Sequence, residues 1–187
     1  MTAKKITTII LVSIAVGLVL FALMLYFTIK TKSTSLNDIE PFRSLIDKTM
    51  VLQRQTFLFS EPHEIYSDSD AGYPYFLLDS LHPNWQWVQD RLKMSEPDVK
   101  QIRAFPAGTK LTIKKAVMYT NGVSGGSNPS LFGIIKDEEN TYKIQYRWGE
   151  QSKIRYFDNI AESWKFSMAP WQKVEDTTYY ALPEAKW

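Results

Sequence analysis

Cysteine is missing from this sequence altogether. That removes disulfides, thiolate metal sites and cysteine nucleophiles together, and it fits either side of a membrane. Histidine is nearly as scarce: His63 and His82 are the only two, and they share no metal-ligand spacing. Surplus charge is lacking too. The chain carries a formal net charge of +2. Setting aside Lys4, Lys5 and Lys30 leaves about −1 for the rest, which excludes the basic footprint of a nucleic-acid-binding domain.

What is present in excess is one long run without charge, Ile6 to Ile29 (ITTIILVSIAVGLVLFALMLYFTI). As a helix, about 24 residues reach roughly 36 Å, against a hydrocarbon core of roughly 30 Å. A cleaved signal peptide has a shorter apolar core and a small-residue cleavage site, and neither is found here. The run therefore reads as an uncleaved, single-pass signal anchor in a lipid bilayer. Lys4 and Lys5 precede it; Lys30, Lys32, Arg43 and Lys48 follow. The positive-inside count is divided, and the lysines abutting the N-terminal end favour the C-terminal domain on the extracytoplasmic side. Ser13 and Gly17 form a small-xxx-small pair of the kind that lets helices approach, although both residues are common in membrane helices.

Residues 1–30 are thus expected as an anchor, 31–41 as a polar tether (TKSTSLNDIEP) and 42–187 as one soluble domain of ordinary size. All six tryptophans lie in that domain, with the bulk to build a core. Phe42, Leu45 and Ile46 after Pro41 predict a helical turn or two. Thr49 to Phe59 reads as a strand with a bulge or change of face at Gln53–Gln55. Ser67 to Pro74 is a loop by composition, and Tyr75 to Leu78 a short strand. Trp85, Val88 and Leu92 predict an amphipathic helix, and Ser95–Asp98 a further helix start.

Phe105 opens the clearest β signal. After a turn at Pro106–Thr109, Leu111, Ile113, Val117 and Tyr119 alternate with polar neighbours. A Gly/Ser-rich loop (121–129), a strand at Leu131–Ile135 and a turn at 137–140 follow. Tyr142, Ile144, Tyr146 and Trp148 alternate with Lys143, Gln145 and Arg147, and that period reads as core. Lys153–Phe157 is expected as a strand, 158–163 as a helical turn, and 171–174 and 177–182 as strand-like pieces. Short strands at close spacing predict a mostly-β (α+β) domain, a small antiparallel barrel or sandwich with one or two short helices.

The run Phe105-Pro106-Ala107-Gly108-Thr109-Lys110-Leu111-Thr112-Ile113, with the hairpins after it, resembles the opening of a bacterial Src-homology-type small β-barrel. The resemblance covers residues 102–160. This chain departs from that pattern in its long Gly/Ser loop and additional strands. The resemblance implies a binding module and carries over no ligand.

Motifs for chemistry lack their context. Gly122-Val123-Ser124-Gly125-Gly126 matches the nucleophile elbow, which requires a helix after the Ser and an Asp and then a His downstream. Here Asn128-Pro129 follows and both histidines lie upstream, so a hairpin loop is the better reading. The same loop lacks the Gly-Lys-Ser/Thr ending of a phosphate-binding loop. Asp68-Ser69-Asp70-Ala71-Gly72 starts like a calcium loop but places its Gly early and ends on Asp79 instead of Glu. Glu61 with Glu64, and Glu138 with Glu139, read as charged surface. No catalytic, cofactor-binding or metal-ligating residue is assigned.

Aromatic residues are the remaining option. Trp85, Trp87 and Tyr73 are the candidate partner contacts, and Trp87, off the apolar stripe of its helix, is the best placed to be exposed. The expected function is a membrane-anchored, non-catalytic β-rich domain that binds a protein partner, as an accessory subunit or inhibitor. A cell-wall or glycan-binding domain is the alternative.

Overall fold

The computed structural model describes residues 3–60, 72–137 and 140–185. Its first element is a 27-residue helix, α1 (Ala3–Ile29). None of its most apolar window is buried against the rest of the protein. At about 40 Å it exceeds the roughly 30 Å of a hydrocarbon core. By length and composition it is able to cross a membrane.

Four strands follow: β1 (Lys32–Ser35), β2 (Thr49–Val51), β3 (Thr56–Ser60) and β4 (Tyr75–Leu78). Helix α2 (Trp85–Leu92) precedes β5 (Lys100–Phe105), β6 (Lys110–Thr120), β7 (Ser127–Asp137) and β8 (Asn140–Arg147). The last elements are β9 (Glu150–Gln151), α3 (Lys153–Phe157) and β10 (Trp164–Lys165). Eight strands form one sheet in the order β1-β6-β7-β8-β4-β3-β5, with β2 also on β6; β9 and β10 form a separate pair. Every pairing is antiparallel except β4 with β8.

The domain is mostly β with short helices, as its pattern predicts, but the sheet does not close into a barrel. Its ends are β1 and β5. Irregular chain completes the core instead of strand pairing: Leu36 and Phe42 from one segment, and Phe166, Ala169, Trp171 and Ala185 from the C-terminal one, pack with Leu58, Leu77, Leu111 and Ile144. The rings interlock edge to face, Phe42 lying 5.4 Å from Phe166 and 5.9 Å from Trp148. A second cluster of Phe59, Leu78, Val88 and Val99 includes the buried side of α2. Residues 102–160, where the small-barrel resemblance lies, supply most of β5, the β6–β7–β8 meander, β9 and α3.

Several local expectations are corrected. The polar tether is a strand for part of its length: after only Lys30 and Thr31, Lys32–Ser35 pair with Val117–Thr120. Asn37 then caps the arrangement, its Oδ1 accepting from the Ala116 N–H at 2.8 Å. Residues 37–47 form turns instead of a helix. Gln53–Gln55 breaks the expected strand into β2 and β3, because Gln53 N–H donates to the Pro170 carbonyl and Arg54 turns inward. Ser95–Asp98 starts no helix; Asp98 pairs with Arg91, and β5 begins just beyond the buried Val99.

In β6 the register shifts between Ile113 and Lys115. The extra residue, Lys114, exchanges the faces, so Ala116 and Met118 are buried in place of Val117 and Tyr119. Lys153–Phe157 is helix, and the pieces expected at 171–174 and 177–182 reduce to a single bridge between Trp164 and Tyr180. The calcium-like segment, apart from Gly72, lies outside the described residues, as do His63, Glu61, Glu64, Glu138 and Glu139.

Candidate functional site

Lys32 pairs with Thr120, so the β6–β7 turn at residues 121–126 lies where α1 ends. The contact is close: a Cβ on Gly122 would come within 2.5 Å of the Thr28 carbonyl and 2.6 Å of that of Ile29. Only glycine fits there. Asn121 shapes the turn, its Oδ1 accepting from the N–H groups of Val123 and Ser124, each at 2.9 Å. Gly125 completes it at φ 68°. Ser124 Oγ accepts from the Gly126 N–H at 3.2 Å. The elbow-like motif is therefore a hairpin turn, with a strand where the elbow needs a helix.

Beside this turn opens a cleft of about 770 Å³. Lys32 and Ser124–Ser127 form one side; Tyr156 and Ile160 around α3, and the tail at 181–185, form the others. Helix α3 is fixed at both ends. The Ser152 hydroxyl accepts from Arg155 N–H at its start. At its end Asn159, at φ 57°, donates to the Tyr156 carbonyl, and Ile160 N–H reaches back to that of Arg155. That is a Schellman arrangement. Arg155 adds a tie, with Nε on the Glu162 carbonyl and its guanidinium 4.4 Å over the Tyr179 ring.

A second, smaller cleft of about 350 Å³ holds His82, Arg147, Glu150, Lys165 and Glu175 on its walls. Behind it runs a buried polar ladder. Fully buried Asp79 accepts from Arg54 Nε, and Arg54 also donates to the Met168 carbonyl, which ties the C-terminal segment to the end of β4. The Tyr146 hydroxyl is buried without a hydrogen-bond partner among the described residues, and burial, reinforced by the Asp79 charge, pushes its pKa well above the usual phenol value. Asn84 N–H donates to His82 Nδ1 at 3.0 Å, so the proton sits on Nε2, which donates to the Arg147 carbonyl at 2.9 Å. Burial, outweighing that bond and the nearby Asp79, holds the imidazole pKa below its ordinary value. A neutral, doubly bonded histidine suits a structural role better than proton transfer. Among the described residues no His/Asp/Glu cluster is able to hold a metal ion.

The chain matches no family model, no curated protein and no solved structure.

Each candidate contact residue has its own surroundings. Trp85 is half-buried, its ring 5.2 Å from Phe57 and 6.4 Å from Phe59. Trp87 is exposed, as its place off the helical stripe predicts, with the Arg91 guanidinium 4.4 Å over its ring. Tyr73 lies 5.0 Å from Phe132 in an edge-on contact, near the ammonium groups of Lys115 and Lys143. Tyr146 and Trp148 are core, as their period indicates. Sequence reasoning missed the cleft at the end of α1, because its walls come from four separated segments. The Ser152 and Asn159 caps are the local signals for α3, and the alternating polarity of Lys153–Phe157 competes with them.

Proposed function

We propose that this chain is a single-pass membrane protein whose β-rich domain, non-catalytic and extracytoplasmic, binds a protein partner at the membrane surface, as an accessory subunit or inhibitor. The observation that carries the reading is the 770 Å³ cleft at the end of the sheet where α1 leaves it. With α1 in a bilayer, a cleft there opens towards other proteins of the same membrane. Its walls carry small residues such as Ser124, Gly126, Ala161 and Ala181, which let a partner backbone approach closely. The Src-homology-type resemblance of residues 102–160 points the same way, towards binding. The glycan alternative draws less support, since Tyr146 and Trp148 are spent on the core.

A photocrosslinking residue in place of Ser124, in the full chain in cells, tests this. A discrete adduct with a membrane protein is expected there and not from Lys136, exposed in β7. Equal labelling from both positions, or none from Ser124, refutes the cleft as the binding surface.

A further inference from the structure

Helix α3 is held in shape yet buries none of its residues. Ile154 and Phe157, three apart on one face, are each 75% exposed; Tyr156 is 47% and Ile160 37% exposed. A soluble domain has little reason to cap so short a helix at both ends and leave its apolar side chains in water. Across the cleft, Val123 at the tip of the β6–β7 turn is also 75% exposed.

Position says what covers them. The β6–β7 turn touches the last carbonyls of α1, and Tyr156 and Ile160 line the same cleft as Ser124 and Gly125. Tyr156 and Ile160 therefore lie at the end of the sheet from which α1 departs; Ile154 and Phe157 belong to the same five-residue helix, and Val123 precedes Ser124 in the turn. The chain between α1 and β1 is only Lys30 and Thr31, too short to hold the domain far from a bilayer surface. Lys153 is exposed next to Ile154, and Lys30 follows α1, both suited to anionic headgroups. An aliphatic and aromatic face beside lysines is the composition of interfacial helices.

We propose that α3 and the Val123 turn dock onto the lipid bilayer that α1 spans, burying Ile154, Phe157 and Val123 at the headgroup boundary and fixing the tilt of the domain. This rests on the membrane-anchor reading of α1.

The test uses the absence of native cysteine. Full-length Phe157→Cys, Val51→Cys and Val19→Cys, each carrying a nitroxide label, are reconstituted into vesicles of phosphatidylcholine with a minor share of phosphatidylglycerol. Val51 is a partly exposed apolar residue at the far end of β6, opposite Lys110 and roughly 33 Å of strand from Thr120. Collision rates with oxygen, which favours lipid, are compared with those of a water-soluble nickel complex. The oxygen-to-nickel ratio at Phe157→Cys is expected to be several-fold above that at Val51→Cys, and Ile154→Glu should lower it without changing Val19→Cys. A ratio at Phe157→Cys equal to that at Val51→Cys, with Val19→Cys in lipid, overturns the docking and leaves the anchor standing. All three positions in water would overturn the anchor itself.

Discussion

Asp79, Arg54, Tyr146 and His82 show how differently buried polar groups weigh at the scale of single residues. Asp79 is fully buried with one close cation, so Asp79→Ala leaves Arg54 without its carboxylate. A loss of about 3–5 kcal/mol is expected, read by urea unfolding of the full chain in mild detergent. Tyr146→Phe removes a hydroxyl that has no hydrogen-bond partner among the described residues. It should change stability by less than about 1 kcal/mol or raise it, and a loss near that of Asp79→Ala would point to a partner for the hydroxyl. For His82 the sign follows from its lowered pKa. Between the folded value and about 6.5 the unfolded state binds more protons, so stability is full above that window and declines as pH falls through it. Melting temperature followed against pH should show a shallower slope in His82→Gln than in the native chain.

At the scale of elements, β6 and β7 are the clearest example of a pattern read correctly as strand and incorrectly in phase. Leu111 and Ile113 face the core as their alternation predicts; Val117 and Tyr119 do not, because Lys114 is an extra residue against β7. Nothing local to Lys114 marks a bulge, since Lys-Lys suits either surface. Opposite it, Gly133 packs so tightly that a Cβ would lie 2.7 Å from the Thr112 carbonyl. Gly133→Ala should therefore cost about 1–3 kcal/mol, measured by the same urea unfolding, whereas relief by a small strand shift would show as a near-neutral change. Helix α3 illustrates the converse. Five residues with alternating polarity read as strand, and only the caps supplied by Ser152 and Asn159 select the helix.

At the scale of the whole molecule, the proposed function turns on the relation of α1 to the sheet. If α1 is the anchor, the full chain should stay with membranes through alkaline carbonate extraction, while a chain starting at Lys30 should be released. A topology reporter fused after Trp187 is expected to be active outside the cytoplasm; cytoplasmic activity would reverse the orientation and restrict partners to that side. The cleft keeps its place at the end of α1 in either case, because only Lys30 and Thr31 separate α1 from β1, and β1 pairs with the strand that ends at the turn.

The sequence by itself determined the features that depend on neighbours along the chain. The uncharged run of Ile6–Ile29, the stripe of Trp85, Val88 and Leu92, and the burial of Ile144, Tyr146 and Trp148 were all legible, since a helix or strand period is a local property; the burial of Gln145 between them, where it donates to Ser130 Oγ, was not. Only the tertiary structure decided that Lys32–Ser35 is strand instead of tether, that β4 enters the sheet parallel to β8, and that the C-terminal segment completes the core of an open sheet. Those outcomes depend on pairing between residues tens of positions apart, for which a single sequence carries no register. The cleft at the end of α1 belongs with them. Its residues are ordinary one by one, and meet only because the sheet returns the chain repeatedly to the same end.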